Sequence, residues 1–137
     1  MKVINFSHPL TPDQIQTIEN LSGQKVNANL HIECHLDLVL PLADQVRTLV
    51  DQAGLTPEAW QAEPIIICPP SLGGIACALL AEVHGRMGHF PPLVRIGPIA
   101  GSIPTRYAVV ELLNLDEIRE KARMRRGTGT HVKEQPG

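Results

Sequence analysis

The chain has 137 residues, of which 43% are hydrophobic and 19% are charged, and its formal net charge at neutral pH is −2. These values predict a single globular domain with its own core and exclude general disorder. The sequence has no window of roughly 18 uncharged apolar residues and no signal-peptide pattern, so we expect a soluble, cytoplasmic protein that does not enter a membrane.

Hydrophobic periodicity predicts that strands and helices alternate along the chain. The predicted strands cover residues 2–6, 25–38, 64–68, 93–96 and 107–113, the second of them near a sheet edge because one of its faces is polar. The predicted helices cover residues 12–22, 40–53, a short stretch after residue 56, 72–87 and 115–126. This alternation indicates an α/β, Rossmann-like fold with a mostly parallel sheet and helices on both faces.

One domain is predicted over residues 1–126, followed by a flexible, polar tail over residues 127–137. The charged residues are distributed unevenly between the two parts of the chain. Residues 1–85 carry three Lys or Arg and nine Asp or Glu, a net charge of −6, whereas residues 86–137 carry nine and five, a net charge of +4. An anionic partner is therefore expected to bind the second half.

Ligands of parallel α/β sheets bind at the carboxyl ends of the strands. Three segments follow predicted strands there: residues 5–9, 69–74 and 97–106. The candidate binding residues come from these three segments and from the fourth predicted strand, residues 93–96.

A glycine-containing turn leads from the third predicted strand into the next helix. Its residues are Pro70, Ser71, Leu72, Gly73 and Gly74. Exposed backbone N–H groups at a helix start, beside small residues, suit a phosphate. The turn matches neither the dinucleotide nor the mononucleotide phosphate-loop motif, and close packing of helix on sheet explains the glycines equally well.

Asn5, Ser7 and His8 lie where the first predicted strand passes into its loop, and they supply an amide, a hydroxyl and an imidazole. Such groups suit the recognition of a base edge or a ribose, and the imidazole suits proton transfer near neutral pH. A simple Ser-His-Pro turn is the structural alternative.

Arg95 and Arg106 flank the loop after the fourth predicted strand, and guanidinium groups match phosphate geometry. Glu111 is the expected partner of one of them. His31 and His35, with Glu33 and Cys34 between them, could suggest a metal site, but the sequence offers no second cluster of ligands. We therefore predict a polar strand face, no metal and no cofactor.

Residues 84–92, HGRMGHFPP, combine two imidazoles, a guanidinium and an aromatic ring at the end of a helix. This end of the helix lies at the edge of the sheet opposite the strand carboxyl ends. The segment is therefore expected to serve packing or a subunit contact rather than catalysis.

Three strings of the sequence resemble a known family. NFSHPLTPDQ at the start, the central turn with two prolines, and AEVHGRMGHFPPLVRIGP resemble the CRISPR-associated accessory family Csx-fifteen, which is found beside type III CRISPR systems. The resemblance covers most of residues 1–126. It implies a Rossmann-like domain related to the CARF domains that sense cyclic oligoadenylates, the RNA second messengers of type III antiviral defence.

The resemblance further implies that a homodimer binds cyclic tetra-adenylate between its subunits, with higher ligand-bridged oligomers as an extension. DNA is not an expected partner. The protein would lower the antiviral signal by sequestering the ring or by cleaving it slowly. If the ring is cleaved without a metal, we expect a ribose 2′-hydroxyl to attack the adjacent phosphate, with His8 as the base and either Arg106 or the backbone amides of Gly73 and Gly74 stabilising the charge. An alternative is an interaction module that docks on a CRISPR effector through residues 84–92.

Overall fold

Five strands form one sheet in the computed structural model, which describes residues 1–127 of the chain. The strands are β1 (Lys2–Asn5), β2 (Ala28–His31), β3 (Ile65–Cys68), β4 (Leu93–Pro98) and β5 (Tyr107–Leu113). Their order across the sheet is β2-β1-β3-β4-β5. Strands β1 to β4 run parallel and β5 runs antiparallel to β4. The expected α/β, Rossmann-like fold with a mostly parallel sheet is confirmed.

Helices cover both faces of this sheet. They are α1 (Pro12–Ser22), α2 (Leu42–Asp51), α3 (Pro57–Ala62), α4 (Gly73–Met87) and α5 (Leu115–Gly127). Helix α1 packs on one face through Ile18, and α2, α3 and α4 pack on the other. None of these helices is both long and apolar enough to cross a membrane.

Strand β3 is buried on both of its faces. Ile65 and Ile67 contribute to the core beneath α2, α3 and α4, while Ile66 and Cys68 contribute to the core beneath α1. Side chains alternate across a strand, so a run that is apolar at every position fits only a strand covered on both sides. Burial also raises the pKa of the Cys68 thiol to about 12.

The predicted limits of α1 are confirmed by its caps. The hydroxyl of Thr11 accepts a hydrogen bond from the backbone N–H of Gln14 at 3.2 Å, and the side-chain oxygen of Gln14 accepts one from the backbone N–H of Thr11 at 2.9 Å. Gly23 ends the helix with a φ of 70°, which favours glycine.

The second strand is shorter than its pattern predicts. Residues 25–38 were expected to be extended, but β2 has only four residues. Strand β1 ends at Asn5, opposite His31, and the backbone bond from Ile32 N–H to the Asn5 carbonyl at 2.8 Å closes the ladder. Beyond this point the chain has no neighbouring strand to pair with. The expected position of β2 at the sheet edge is confirmed.

The end of the domain differs by one residue from the prediction, because Gly127 belongs to α5 rather than to the tail. The remainder of the predicted tail, residues 128–137, lies outside the described residues.

Candidate functional site

The order of the strands creates a crevice at the carboxyl ends of β1 and β3. From β1 the chain moves to β2 on one side and then to β3 on the other, so the connecting helices leave on opposite faces of the sheet. Asn5 and Cys68, the last residues of β1 and β3, are paired in the sheet. The segments that follow them therefore begin at the same level.

Asn5 shapes the loop after β1 and is only 1% exposed. Its amide nitrogen donates to the His8 carbonyl at 2.7 Å, and its amide oxygen accepts from the Ser7 backbone N–H at 2.8 Å. The Nε2 atom of His31 donates to the Ser7 carbonyl at 2.8 Å from the edge strand. Asn5 thus holds the loop from below, and it lines neither of the clefts beside that loop.

Two clefts flank residues 7–9, and Ser7, His8 and Pro9 line both of them. The smaller cleft has a volume of about 350 Å³ and lies between this loop, the segment after β2 and the start of α4. The larger cleft has a volume of about 710 Å³ and lies between α1 and the hairpin formed by β4 and β5. His8 is exposed on the ridge between the two clefts.

The start of α4 is open towards the smaller cleft. Leu72 is the N-cap residue and forms no side-chain cap, so within residues 1–127 the backbone N–H groups of the first turn lack a side-chain capping acceptor. Ser71 and Leu72 line the cleft, and Pro70, which also lines it, is buried.

Gly73 and Gly74 are exposed in this first turn. A Cβ atom on Gly73 would meet no atom within 4 Å, and one on Gly74 would meet only the Cδ1 atom of Leu42 at 3.9 Å. Close packing of the helix against the sheet therefore does not require glycine at either position. Neither glycine lines the smaller cleft, but both are exposed beside it at the start of the helix, where an anion can approach.

Arg106 lines the larger cleft together with His8. Its backbone is held by bonds from its N–H to the Ser102 hydroxyl at 2.9 Å and from the Ile99 N–H to its carbonyl at 2.7 Å. The guanidinium has no hydrogen-bond or ionic partner within residues 1–127. A fixed backbone that carries an unpaired cation into a cleft suits an anionic ligand.

Arg95 does not join this group. It lies within β4, and its guanidinium forms an ion pair with Glu111 on β5 at 2.6 Å, as expected for one of the two arginines. Arg95 lines neither cleft. The sequence placed it beside the loop because β4 was expected to end at Ile96, whereas the strand continues to Pro98.

The segment of residues 84–92 is engaged in packing within the domain, as predicted. Arg86 forms ion pairs with Glu82 at 2.9 Å and Asp51 at 2.8 Å and lies over the Trp60 ring. The rings of His84 and Phe90 are 4.3 Å apart. These contacts leave few free groups for an external partner.

The polar residues after β2 do not form a metal site. His35 pairs with Glu33 at 3.1 Å, while His31 is bonded to the Ser7 carbonyl. In the described part of the chain, no three His, Cys, Asp or Glu side chains lie together as metal ligands would.

The contribution of α1 and of the residues beside it to the site was not predicted from the sequence. Thr11, Asp13 and Thr17 line the larger cleft from the helix, and Tyr107 lines it from β5. One signal was present in the sequence: α1 begins directly after the loop of residues 6–9, so its first turn must lie near the strand ends.

Comparison of the chain with protein-family models, with curated proteins and with solved structures gave no match.

We predict that Asn5→Ala lowers the free energy of unfolding by about 2–4 kcal/mol, because it leaves the Ser7 N–H and the His8 carbonyl without partners in a partly buried loop. Urea unfolding measures this. Asn29→Ala, on the exposed side of β2, is the matched control and should change stability by no more than about 0.5 kcal/mol. Equal effects of the two substitutions would show that Asn5 does not hold the loop.

Proposed function

We propose that this protein binds cyclic tetra-adenylate between two copies of the chain and lowers type III CRISPR signalling by sequestering it. The resemblance to the Csx-fifteen family supplies the identity of the ligand. The observation that carries the proposal is the open start of α4, where two exposed glycines leave space that packing does not require.

This helix start suits the phosphates of the ring. The positive end of the helix dipole and the uncapped N–H groups attract an anion, and the absence of Cβ atoms at Gly73 and Gly74 lets it come close. Arg106 offers a second, cationic contact from the far side of the loop. His8 and Ser7 lie between these two sites and can reach a ligand that spans both clefts.

A ring of four adenylates has pseudo-fourfold symmetry, which contains a twofold axis. A symmetric dimer would therefore present the same surface to each half of the ring, and each copy would meet two phosphates. The two clefts on each copy fit this arrangement, because they give one protomer more than one contact with the ligand.

The geometry supports sequestration better than cleavage. The His8 ring has no hydrogen-bond partner within residues 1–127, so no carboxylate orients it as a base. A sequestering protein needs tight binding but no oriented base, which agrees with the contacts described above. Docking on an effector through residues 84–92 gains no support, because Arg86, His84 and Phe90 of this segment are engaged within the domain.

A side-chain cap at the start of α4 should raise the stability of the protein and lower its affinity for the ligand. In Leu72→Asp the new carboxylate accepts hydrogen bonds from the first-turn N–H groups, which raises the free energy of unfolding by about 0.5–2 kcal/mol. The same charge repels a phosphate, so affinity for cyclic tetra-adenylate, measured by calorimetry, should fall about tenfold or more. Leu72→Asn, which caps without a charge, should lose less affinity. Unchanged binding by both variants would exclude this helix start as the phosphate site.

The two arginines should differ in their effects. We expect Arg106→Ala to weaken binding about tenfold, because it removes a charge-assisted contact, and to reduce the dependence of affinity on salt. Arg95→Ala removes the same charge outside the clefts and should leave affinity within about twofold, since a surface ion pair contributes little. Titrations from low to high ionic strength test both. Affinity that does not change with salt in the wild-type protein would contradict phosphate binding.

Incubation with an excess of labelled cyclic tetra-adenylate distinguishes sequestration from cleavage. We expect the ring to remain intact over hours, because His8 has no orienting partner in the described chain. Linear products in excess of the protein, lost in His8→Ala and kept in His89→Ala, would instead show that the protein is a metal-independent ring nuclease with His8 in the reaction.

A further inference from the structure

The larger cleft contains features that phosphate binding does not use. Its floor is apolar, formed in part by Ile96 and the buried Val109, and the exposed Tyr107 ring lines its edge. Its volume of about 710 Å³ lies in the range of small-molecule sites. An apolar floor beside an aromatic ring suits a flat heterocycle, which gains from both burial and stacking.

Gln14 holds the two walls of this cleft together. Its amide nitrogen donates to the Tyr107 carbonyl at 2.9 Å, which ties α1 to β5, while its oxygen serves the cap of α1. Both ends of the Gln14 side chain are thus engaged, and the residue is 9% exposed. The spacing between helix and hairpin is therefore set before any ligand binds, which reduces the entropic cost of binding.

Asp13 and Thr11 place an acceptor and a donor on the α1 wall. The Asp13 carboxylate has no hydrogen-bond or ionic partner in the part of the chain that the structure describes. Thr11 accepts from the Gln14 N–H through its hydroxyl oxygen, and its hydroxyl hydrogen has no acceptor among the same residues. A carboxylate in the first turn also stabilises the helix through the helix dipole. A test must therefore separate this effect of Asp13 on stability from its effect on binding.

Together, these groups match one edge of a purine. Adenine carries its 6-amino group, a donor, beside ring nitrogens that accept. We propose that the larger cleft is a nucleobase pocket in which the Asp13 carboxylate accepts a hydrogen bond from the exocyclic amino group of adenine, with Thr11 donating to a neighbouring ring nitrogen. This inference rests on the proposed function and extends it from the phosphates to the choice of base.

Arg106 lines the same cleft, so a base in the pocket and a phosphate on the guanidinium belong to one nucleotide. Asn5 was expected to recognise the base, but both ends of its amide are hydrogen-bonded within its own loop. Recognition of the base is therefore assigned to Asp13 and Thr11. Selection of adenine then depends on residues that lie outside the loops at the strand ends.

The test compares cyclic tetra-adenylate with the cyclic tetranucleotide in which purine riboside, which lacks the amino group, replaces adenosine. Wild-type protein should bind the adenine ring at least tenfold more tightly, because the analogue leaves the carboxylate unpaired. Asp13→Ala should lose most of its affinity for the adenine ring but little of its affinity for the analogue. The two ligands should then bind this variant almost equally.

Asp44→Ala is the control, since Asp44 lies in the first turn of α2 and outside both clefts, and its exposed ion pair with Arg47 at 3.4 Å contributes little to stability. It should shift the thermal midpoint as Asp13→Ala does and leave the preference for adenine intact. If cyclic tetra-adenylate fails to bind wild-type protein, the proposed function falls and this inference with it. If the ring binds but Asp13→Ala keeps the preference for the amino group, only the base pocket is disproved.

Discussion

Burial of β1 and β3 on both faces is the constraint on which the rest of the structure depends. Residues such as Val3, Ile4 and Ile67 are completely buried, so these strands can carry polar groups only at their ends. Asn5 is the polar residue at the end of β1. Because it is buried there, its side-chain amide must find hydrogen-bond partners close by. It does so by bonding to Ser7 and His8, which turns the next residues over the end of the sheet.

This turn divides the crevice into two clefts with different chemistry. On one side lies the uncapped start of α4, where backbone N–H groups and glycines favour an anion. On the other side lies the cleft between α1 and the hairpin, with an apolar floor and with a guanidinium and a carboxylate that have no partner among residues 1–127. A phosphate site and a base site on either side of one loop are the elements that a nucleotide ligand requires.

Most of the fold was predictable because its signals are local. The capping box at Thr11 and Gln14 and the continuous apolar run of β3 each depend on neighbouring residues. The length of β2 could not be predicted from local signals, since it depends on where β1 ends. The same reason explains Arg95, whose distance from the site follows from two extra residues at the end of β4.

The candidate site was predicted in part. The strand-end segments and His8, Ser71 and Arg106 lie at the clefts, because parallel topology brings strand ends together. The buried role of Asn5 was not visible, because its hydrogen bonds form only once the loop folds back. The wall contributed by α1 was missed for a similar reason, since its contact with β5 joins residues far apart in the chain. The most direct test is a structure of the protein with cyclic tetra-adenylate. The account predicts a ring between two protomers, with a phosphate oxygen within hydrogen-bond distance of the N–H groups that begin α4. A ring bound elsewhere on the surface, or a partner protomer's side chains filling both clefts, would contradict it.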